Sequence, residues 1–208
     1  MCQRNRKIIY LLLVAMMGVY GCKHGSKGHV SSNAPNVEEN GISDKSIFVM
    51  DSKWNTEEDK SIVLADLRGE VLVMVMIYTS CQVACPKLVA DMKALHDKVH
   101  ETTSEHVRYV LVSIDPERDT PEQLKAFAKK NEMDGEEWTF LQGTPESVRE
   151  FANMLAVKYK EISPTDFSHS NIISVFNPSG ELVYQMEGVG VNNDETTERI
   201  LATATAMD

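Results

Sequence analysis

The feature that most constrains this chain is an uninterrupted apolar run followed closely by two cysteines. Residues 71–77, Val-Leu-Val-Met-Val-Met-Ile, contain no polar side chain, which is typical of a strand buried on both faces of a sheet. Cys81 and Cys85 come next, and apolar residues at helical spacing follow them from Leu88 to Val99. The sequence therefore predicts that both cysteines lie where a central strand turns into a helix.

The position of the cysteines at this junction suits three kinds of chemistry. Free backbone N–H groups and the positive end of a helix dipole stabilise a thiolate there. Residues four apart in a helical turn are also near enough to form a disulfide. Pro86, directly after Cys85, fits the first turn of a helix. The loop is thus predicted to be a dithiol, a disulfide or two of the three ligands of a soft metal site.

The composition and length limit the kinds of partner that the protein can bind and the number of domains that it can form. The 208 residues include 31 acidic and 21 basic side chains, and the formal net charge of −10 argues against a nucleic-acid partner. Without its leader, the chain suits one domain with a full core and leaves little room for a second. Two of the four cysteines, Cys2 and Cys22, belong to the leader region. The domain therefore has a single close pair instead of a disulfide scaffold.

The beginning of the chain predicts export and attachment to a membrane. Residues 1–21 combine a basic start with an apolar stretch too short to span a bilayer comfortably, as in a secretory signal peptide. Val-Tyr-Gly-Cys at 19–22 resembles a bacterial lipobox, in which Cys22 becomes lipidated; an ordinary signal or an uncleaved anchor is the alternative. Residues 22–44 are expected to form a flexible tether. The domain at 45–208 then stands in the bacterial cell envelope, on the periplasmic side.

Apolar runs, helix caps and turn residues predict an α/β architecture for the domain. Strands are expected at 46–50, 61–64, 71–77, 107–114, 138–141, 171–176 and 182–186, with a short extended piece at 157–162. Helices are expected from the cysteines to His100, after the Thr-Pro-Glu sequences at 120–122 and 144–146, and at 195–206, and a polar loop is expected at 163–170. A cysteine pair at the end of a central parallel strand is typical of a thioredoxin-like domain. We therefore predict a central mixed sheet flanked by helices, with an N-terminal β-hairpin.

A third metal ligand has to come from a distant part of the chain. His169 is the best candidate, because it lies in the predicted polar loop directly before a strand. Two thiolates and an imidazole suit copper, since thiolate sulfur selects soft Cu(I) and imidazole accepts both Cu(I) and Cu(II). Taken alone, a loop histidine bonded to backbone is the simpler interpretation. His96 and His100 stand at i and i+4 on the cysteine helix, but a solvated helix face accounts for them better.

Three motifs in order resemble the Sco/SenC proteins, and the resemblance spans about Ser46 to Glu187. The motifs are Tyr-Thr-Ser-Cys-x3-Cys-Pro at 78–86, Val-Ser-Ile-Asp-Pro-Glu-Arg-Asp-Thr-Pro at 112–121 and Gly-Thr-Pro-Glu at 143–146. The resemblance implies a thioredoxin-like, membrane-tethered copper protein that helps to assemble the CuA centre of cytochrome c oxidase. Some members of the family are assigned thiol–disulfide reductase roles instead.

When the copper ligands of the family are matched to this chain by motif, the resemblance implies that Cys81, Cys85 and His169 bind one copper per chain. The chain departs from the family pattern where acidic residues are usual. Gln-Val-Ala at 82–84 replaces Pro-Asp-x, and Ser168 replaces the acid of Asp-His-Ser. Both changes remove carboxylates that would support the ligands and an oxidase partner, while the three donors remain.

Three functions are compatible with these residues. The first is a copper metallochaperone that delivers copper to the CuA-bearing subunit of a cytochrome c oxidase by ligand exchange. The second is a membrane-tethered thiol–disulfide oxidoreductase that reduces CuA or other exported cysteines, in which Cys81 attacks and Cys85 resolves the mixed disulfide. Such a reductase does not need His169. The third, a peroxide reductase, is disfavoured by the Cys-x3-Cys spacing and by His169.

Overall fold

The computed structural model describes residues 42–81, 85–102, 106–164 and 166–206. The predicted signal peptide, the lipidation site Cys22 and nearly all of the predicted tether lie outside this part of the chain. Within it, no helix is both long enough and apolar enough to cross a bilayer.

The described residues form nine strands, four α-helices and two short 3₁₀ helices, Ile47–Val49 and Leu64–Leu67. The strands are β1 Lys53–Thr56, β2 Ser61–Val63, β3 Val71–Ile77, β4 Val107–Ser113, β5 Trp138–Gln142, β6 Tyr159–Ser163, β7 Asp166–His169, β8 Ile172–Phe176 and β9 Leu182–Glu187. The helices are α1 Cys85–His100, α2 Pro121–Lys130, α3 Pro145–Met154 and α4 Asp194–Thr205.

Seven of the strands form one mixed sheet in the order β2-β1-β5-β4-β3-β8-β9. The three strands β3, β4 and β5 are parallel, and the outer pairings are antiparallel. Every residue of β3 is at most 1% exposed, as the unbroken apolar run predicts for a strand covered on both faces. The parallel crossover from β3 through α1 to β4 and the predicted mixed sheet are both confirmed.

Both predicted Thr-Pro-Glu helix starts are confirmed, and each is held by a threonine side chain. Thr120 accepts a hydrogen bond from the backbone N–H of Gln123 at the start of α2. Thr144 accepts one from the backbone N–H of Ser147 at the start of α3. In both helices proline takes a first-turn position, where its missing N–H costs no hydrogen bond.

The N-terminal β-hairpin exists, but its first strand is not where the sequence predicts it. β1 begins at Lys53, and the predicted strand at 46–50 is instead a short 3₁₀ helix, Ile47–Val49. The oxygen of the Ser46 side chain accepts a hydrogen bond from the backbone N–H of Phe48, and this local cap competes with the extended conformation. Ile47 and Phe48 are buried from this helical turn, whereas Val49 is 47% exposed.

The predicted polar loop at 163–170 is largely a strand. β6 and β7 pair antiparallel in a small sheet of their own, which we call the β6–β7 arm, residues 159–169. In β7 the exposed residues Asp166 and Ser168 alternate with the partly buried Phe167 and His169. This alternation covers only four residues, which is too short to distinguish a strand from a polar loop by pattern.

Candidate functional site

The two domain cysteines lie at the junction that the sequence predicts. β3 ends at Ile77 and α1 begins at Cys85, and neither cysteine is in a disulfide. The backbone N–H of Cys85 donates a hydrogen bond to Sγ of Cys81 over 3.2 Å. Cys81 is partly exposed, whereas Cys85 is 1% exposed. The first N–H of the helix thus supports the outer sulfur, and the inner sulfur faces the core.

Burial dominates the acid–base behaviour of Cys85. Loss of solvent raises the pKa of the Cys85 thiol far above its ordinary value, although a hydrogen bond with the backbone of Tyr78 lowers it in part. Nearby Cys81 and Asp119 raise the pKa further. In the metal-free protein Cys85 is therefore a neutral thiol at pH 7. The expectation that the helix start stabilises a thiolate is wrong for this cysteine, because burial outweighs it.

Unequal exposure predicts that the two thiols differ in reactivity. We expect iodoacetamide to modify Cys81 at least about tenfold faster than Cys85 at pH 7, because a thiol must be accessible and ionised to react. Peptide-resolved mass spectrometry of the full chain measures both rates and separates them from those of Cys2 and Cys22. Equal rates, or faster modification of Cys85, would contradict this arrangement of the loop.

A buried carboxylate anchors the start of the cysteine loop. Asp119 is 1% exposed and accepts hydrogen bonds from the backbone N–H and the hydroxyl of Thr79, and from the hydroxyl of Ser113 at 2.7 Å. Burial raises the pKa of Asp119, and these hydrogen bonds lower it in part. Thr79 is two residues before Cys81. Asp119 therefore fixes the backbone from which Cys81 projects.

Tyr78 joins the cysteine loop to the β6–β7 arm. Tyr78 is 2% exposed; its hydroxyl donates a hydrogen bond to the carboxylate of Asp166, accepts one from the backbone N–H of Phe167 and lies 3.2 Å from the carbonyl oxygen of Phe167. The pKa of Tyr78 is raised well above its ordinary value, first by burial and then by hydrogen bonds with Asp166 and Cys81. Its ring meets the ring of His169 edge-on, with centroids 5.8 Å apart.

His169 offers one ring nitrogen for binding. Nδ1 lies 3.1 Å from the carbonyl oxygen of Ser170, which can only accept, so Nδ1 carries the proton. Burial lowers the pKa of His169, which keeps the ring neutral. Nε2 is buried and has no hydrogen-bond partner among the described residues. A neutral imidazole with a buried, unpartnered nitrogen is the form in which histidine binds metals.

The three predicted ligands share a neighbour, but they do not form a closed site. Cys81 and His169 both interact with Tyr78. Within the described ranges, no group of three or more His, Cys, Asp or Glu side chains is arranged to hold a metal ion.

The other histidines of the domain lie elsewhere. His96 and His100 stack with ring centroids 4.4 Å apart, as their spacing on α1 allows. His96 also packs against Tyr109 and Trp138, and its side chain is only 18% exposed. The prediction of a solvated helix face is therefore wrong for His96, although His100 is exposed.

Sequence reasoning missed three residues that organise this site: Tyr78, Asp119 and Asp166. Two of them lie inside recognisable sequence motifs: Tyr78 opens the cysteine motif, and Asp119 lies in the Asp-Pro-Glu-Arg-Asp-Thr-Pro segment. A polar residue retained at the end of a buried strand was the available signal for Tyr78. Asp166 carried no signal, because its partner is 88 residues away.

The fold and the site together define a thioredoxin-like domain that presents a reduced Cys-x3-Cys pair at the end of a central parallel strand. Comparison with known proteins gives the family. The SCO1/SenC family model matches residues 43–205, and the chain belongs to this family.

Individual relatives agree with this assignment. The SCO1 protein homolog of Bacillus subtilis is 31% identical over 139 residues, which cover 65% of this chain and 72% of that protein. The chain spans between 38% and 62% of the length of five other curated relatives.

Solved structures show the same fold. One is BsSco, described as a member of the Sco family of cytochrome c oxidase assembly proteins; it has a TM-score of 0.68 and 26% identity, and the match covers 79% of this chain and 97% of that one. Another is copper-bound ScoI of Arabidopsis thaliana, with a TM-score of 0.66, 22% identity, and coverage of 74% and 96%.

Proposed function

We propose that this protein is a copper metallochaperone that binds one copper ion through Cys81, Cys85 and His169. The observation that carries the proposal is that two cysteines outside any disulfide lie near a neutral His169 ring, whose buried Nε2 has no hydrogen-bond partner among the described residues and which also contacts Tyr78. Membership of the SCO1/SenC family supports it, as do the copper-bound ScoI structure and the assembly role named for BsSco.

The donor set matches the chemistry of copper carriage. Two thiolates favour Cu(I), and an added imidazole accommodates Cu(II) as well. The partly exposed Cys81 is the donor that an incoming ligand reaches first, whereas Cys85 is covered. Copper then passes by stepwise exchange of these ligands for those of the acceptor, without turnover. We propose the CuA-bearing subunit of a cytochrome c oxidase as that acceptor.

The raised pKa of Cys85 makes copper binding sensitive to pH. Cys85 holds its proton throughout the range from pH 6 to 8, so binding through its thiolate must release that proton. We expect the apparent copper affinity to fall by at least about tenfold for each unit of pH decrease. A competition titration against a chelator of known pH dependence measures the slope. A pH-independent affinity would show that Cys85 is not a ligand.

Export and anchoring complete the proposal. Lipidation of Cys22 would hold the chain at a membrane, and the segment 22–44 would let the domain at 45–208 reach a membrane-embedded oxidase from the periplasmic side of the bacterial envelope. Incorporation of labelled fatty acid in a bacterial host tests the first step. Label that persists in Cys22→Ser would contradict lipidation at this residue.

A second candidate function is thiol–disulfide reduction, and the unequal cysteines favour it. The thiolate of Cys81 attacks a disulfide of an exported protein, which forms a mixed disulfide and releases one thiolate of the target. Cys85 then loses its proton and attacks Sγ of Cys81, which frees the second target thiol. The target gains two electrons, and the protein ends as a Cys81–Cys85 disulfide. If this is the function, Cys85→Ser accumulates the mixed disulfide, and His169→Ala retains full activity.

A further inference from the structure

The hydrogen bonds between the β6–β7 arm and the rest of the domain converge on one side chain, and the guanidinium of Arg118 also contacts the ring of Phe167, 5.8 Å from its centroid. Its two strands pair only with each other, in a sheet separate from the seven-stranded one. Between described residues, and apart from the bonds at its own base near Ser170, the hydrogen bonds that leave the arm all end at the hydroxyl of Tyr78. That hydroxyl contacts the carboxylate of Asp166, lies 3.2 Å from the carbonyl oxygen of Phe167, and accepts the N–H of Phe167 over 3.3 Å.

Ring packing accompanies these hydrogen bonds. Phe167 and His169 share the inward face of β7, and the rings of both meet Tyr78 edge-on, at centroid distances of 5.3 and 5.8 Å. Tyr78 itself is held firmly, because it follows β3 directly and is 2% exposed. The position of the His169 ring relative to the cysteine loop is therefore set by contacts with a fixed residue of that loop.

We propose that Tyr78 and Asp166 are positioning residues for copper. Their hydrogen bond holds the β6–β7 arm against the cysteine loop, so that Nε2 of His169 is available to an ion bound by Cys81 and Cys85. The inference rests on the proposed copper function and adds the pair of residues that controls the third ligand. Without the hydrogen bond between Tyr78 and Asp166, the two thiolates still bind Cu(I), whereas Cu(II) loses the nitrogen donor that it prefers.

Four substitutions separate this role from a general structural one. Tyr78→Phe removes only the hydroxyl and keeps the ring that packs on Phe167 and His169. Asp166→Ala removes the acceptor, and Asp166→Asn keeps an acceptor oxygen. Ser168→Ala is the matched control, since Ser168 is exposed on the same strand.

Two measurements on the full chain in detergent test the proposal. Hydrogen–deuterium exchange of the copper-free protein compares the amides of the arm with those of the seven-stranded sheet. Anaerobic Cu(I) and aerobic Cu(II) titrations follow, with electron paramagnetic resonance to detect nitrogen coupled to Cu(II). We expect faster exchange confined to the arm in Tyr78→Phe and Asp166→Ala. In the same variants we expect Cu(II) affinity to fall by about tenfold or more and nitrogen coupling to weaken, while Cu(I) affinity changes less.

The outcomes separate this proposal from the copper function on which it rests. The proposed role of the Tyr78–Asp166 hydrogen bond is supported if Tyr78→Phe and Asp166→Ala show these changes while Asp166→Asn and Ser168→Ala behave as the wild type does. Unchanged exchange of the arm in Tyr78→Phe would overturn it, whatever copper does. Faster exchange with unchanged Cu(II) affinity and nitrogen coupling would overturn the positioning role. If the wild-type chain binds no copper, the proposed copper function is wrong. The exchange data would still show whether the Tyr78 hydroxyl holds the arm in place.

Discussion

Replacing Cys81 and Cys85 together by serine is expected to lower the apparent Cu(I) affinity on the order of a thousandfold or more. Metal sites in proteins gain several kcal/mol from each soft ligand, and every 1.4 kcal/mol is about a factor of ten. A serine hydroxyl keeps the size of the side chain but is a poor ligand for Cu(I). Each single variant should lose most of the same affinity, because a lone thiolate with one imidazole cannot enclose the ion.

The measurement is an anaerobic competition titration of the full chain. Ser80→Ala is a control in the same loop, because it leaves both thiols in place. The doubly substituted chain also reports the copper held by the rest of the protein, including Cys2, Cys22 and the histidines before residue 45. Wild-type affinity in that chain would place the copper outside the site described here.

The second large effect is expected at Asp119. Asp119→Asn should destabilise the domain by about 1–3 kcal/mol at pH 7, because an amide group would turn one donor toward the buried donors of Thr79 and Ser113. Copper affinity should also fall, since Thr79 is fixed by Asp119 and lies two residues before Cys81. Urea unfolding measures the first effect. Glu117→Gln, an exposed change in the same segment, is the control.

The pH dependence of that destabilisation has a definite sign. The pKa of Asp119 is raised in the folded state, so the folded protein holds this proton at a higher pH than the unfolded chain does. The stability that Asp119 contributes is therefore fully present below its unfolded pKa of 3.8, and part of it is lost as the pH rises through the folded value. The advantage of the wild type over Asp119→Asn should shrink in that window. An advantage that grows with pH would show that burial does not govern this carboxyl.

Elements with long apolar patterns were predictable from the sequence. β3 and α1 were found because seven consecutive apolar residues, followed by a stripe at helical spacing, leave few alternatives. The prediction of a strand at 46–50 was wrong because the hydrogen bond from the backbone N–H of Phe48 to the Ser46 side chain favours a helical turn there. The strand β7 was missed because four residues carry too little periodicity, and its stability depends on pairing with β6.

The candidate site also has a predictable part, the proposed ligands, and an unpredictable part, the residues that hold the surrounding backbone in place. Chemistry-bearing side chains such as Cys81, Cys85 and His169 are identified by residue type and motif. Their supports depend on contacts between distant segments: Thr79 and Asp119 are 40 residues apart, and Tyr78 and Asp166 are 88 apart. Burial also reverses a local expectation at Cys85, because the sequence shows the helix start but does not show that the thiol faces the core.

One dithiol serves both of the candidate functions, and both functions begin from the reduced pair. A Cys81–Cys85 disulfide removes two copper ligands at once, so copper binding and thiol exchange exclude each other in a single chain. His169 has a role only in the first function. Its contribution is therefore the sharpest discriminator between carriage of copper and reduction of disulfides.

The most direct test of the copper proposal is an anaerobic copper titration of the reduced full chain, with His169→Ala measured beside the wild type. We predict one tightly bound copper in the wild type beyond that retained by the doubly substituted cysteine variant. In His169→Ala we predict a loss of affinity of about tenfold to a hundredfold, with altered thiolate-to-Cu(II) charge-transfer absorption. Equal affinity and identical spectra in the two proteins would exclude His169 as a ligand. No tight copper in the wild type, together with rapid exchange against a protein disulfide, would contradict the metallochaperone and leave a tethered thiol reductase.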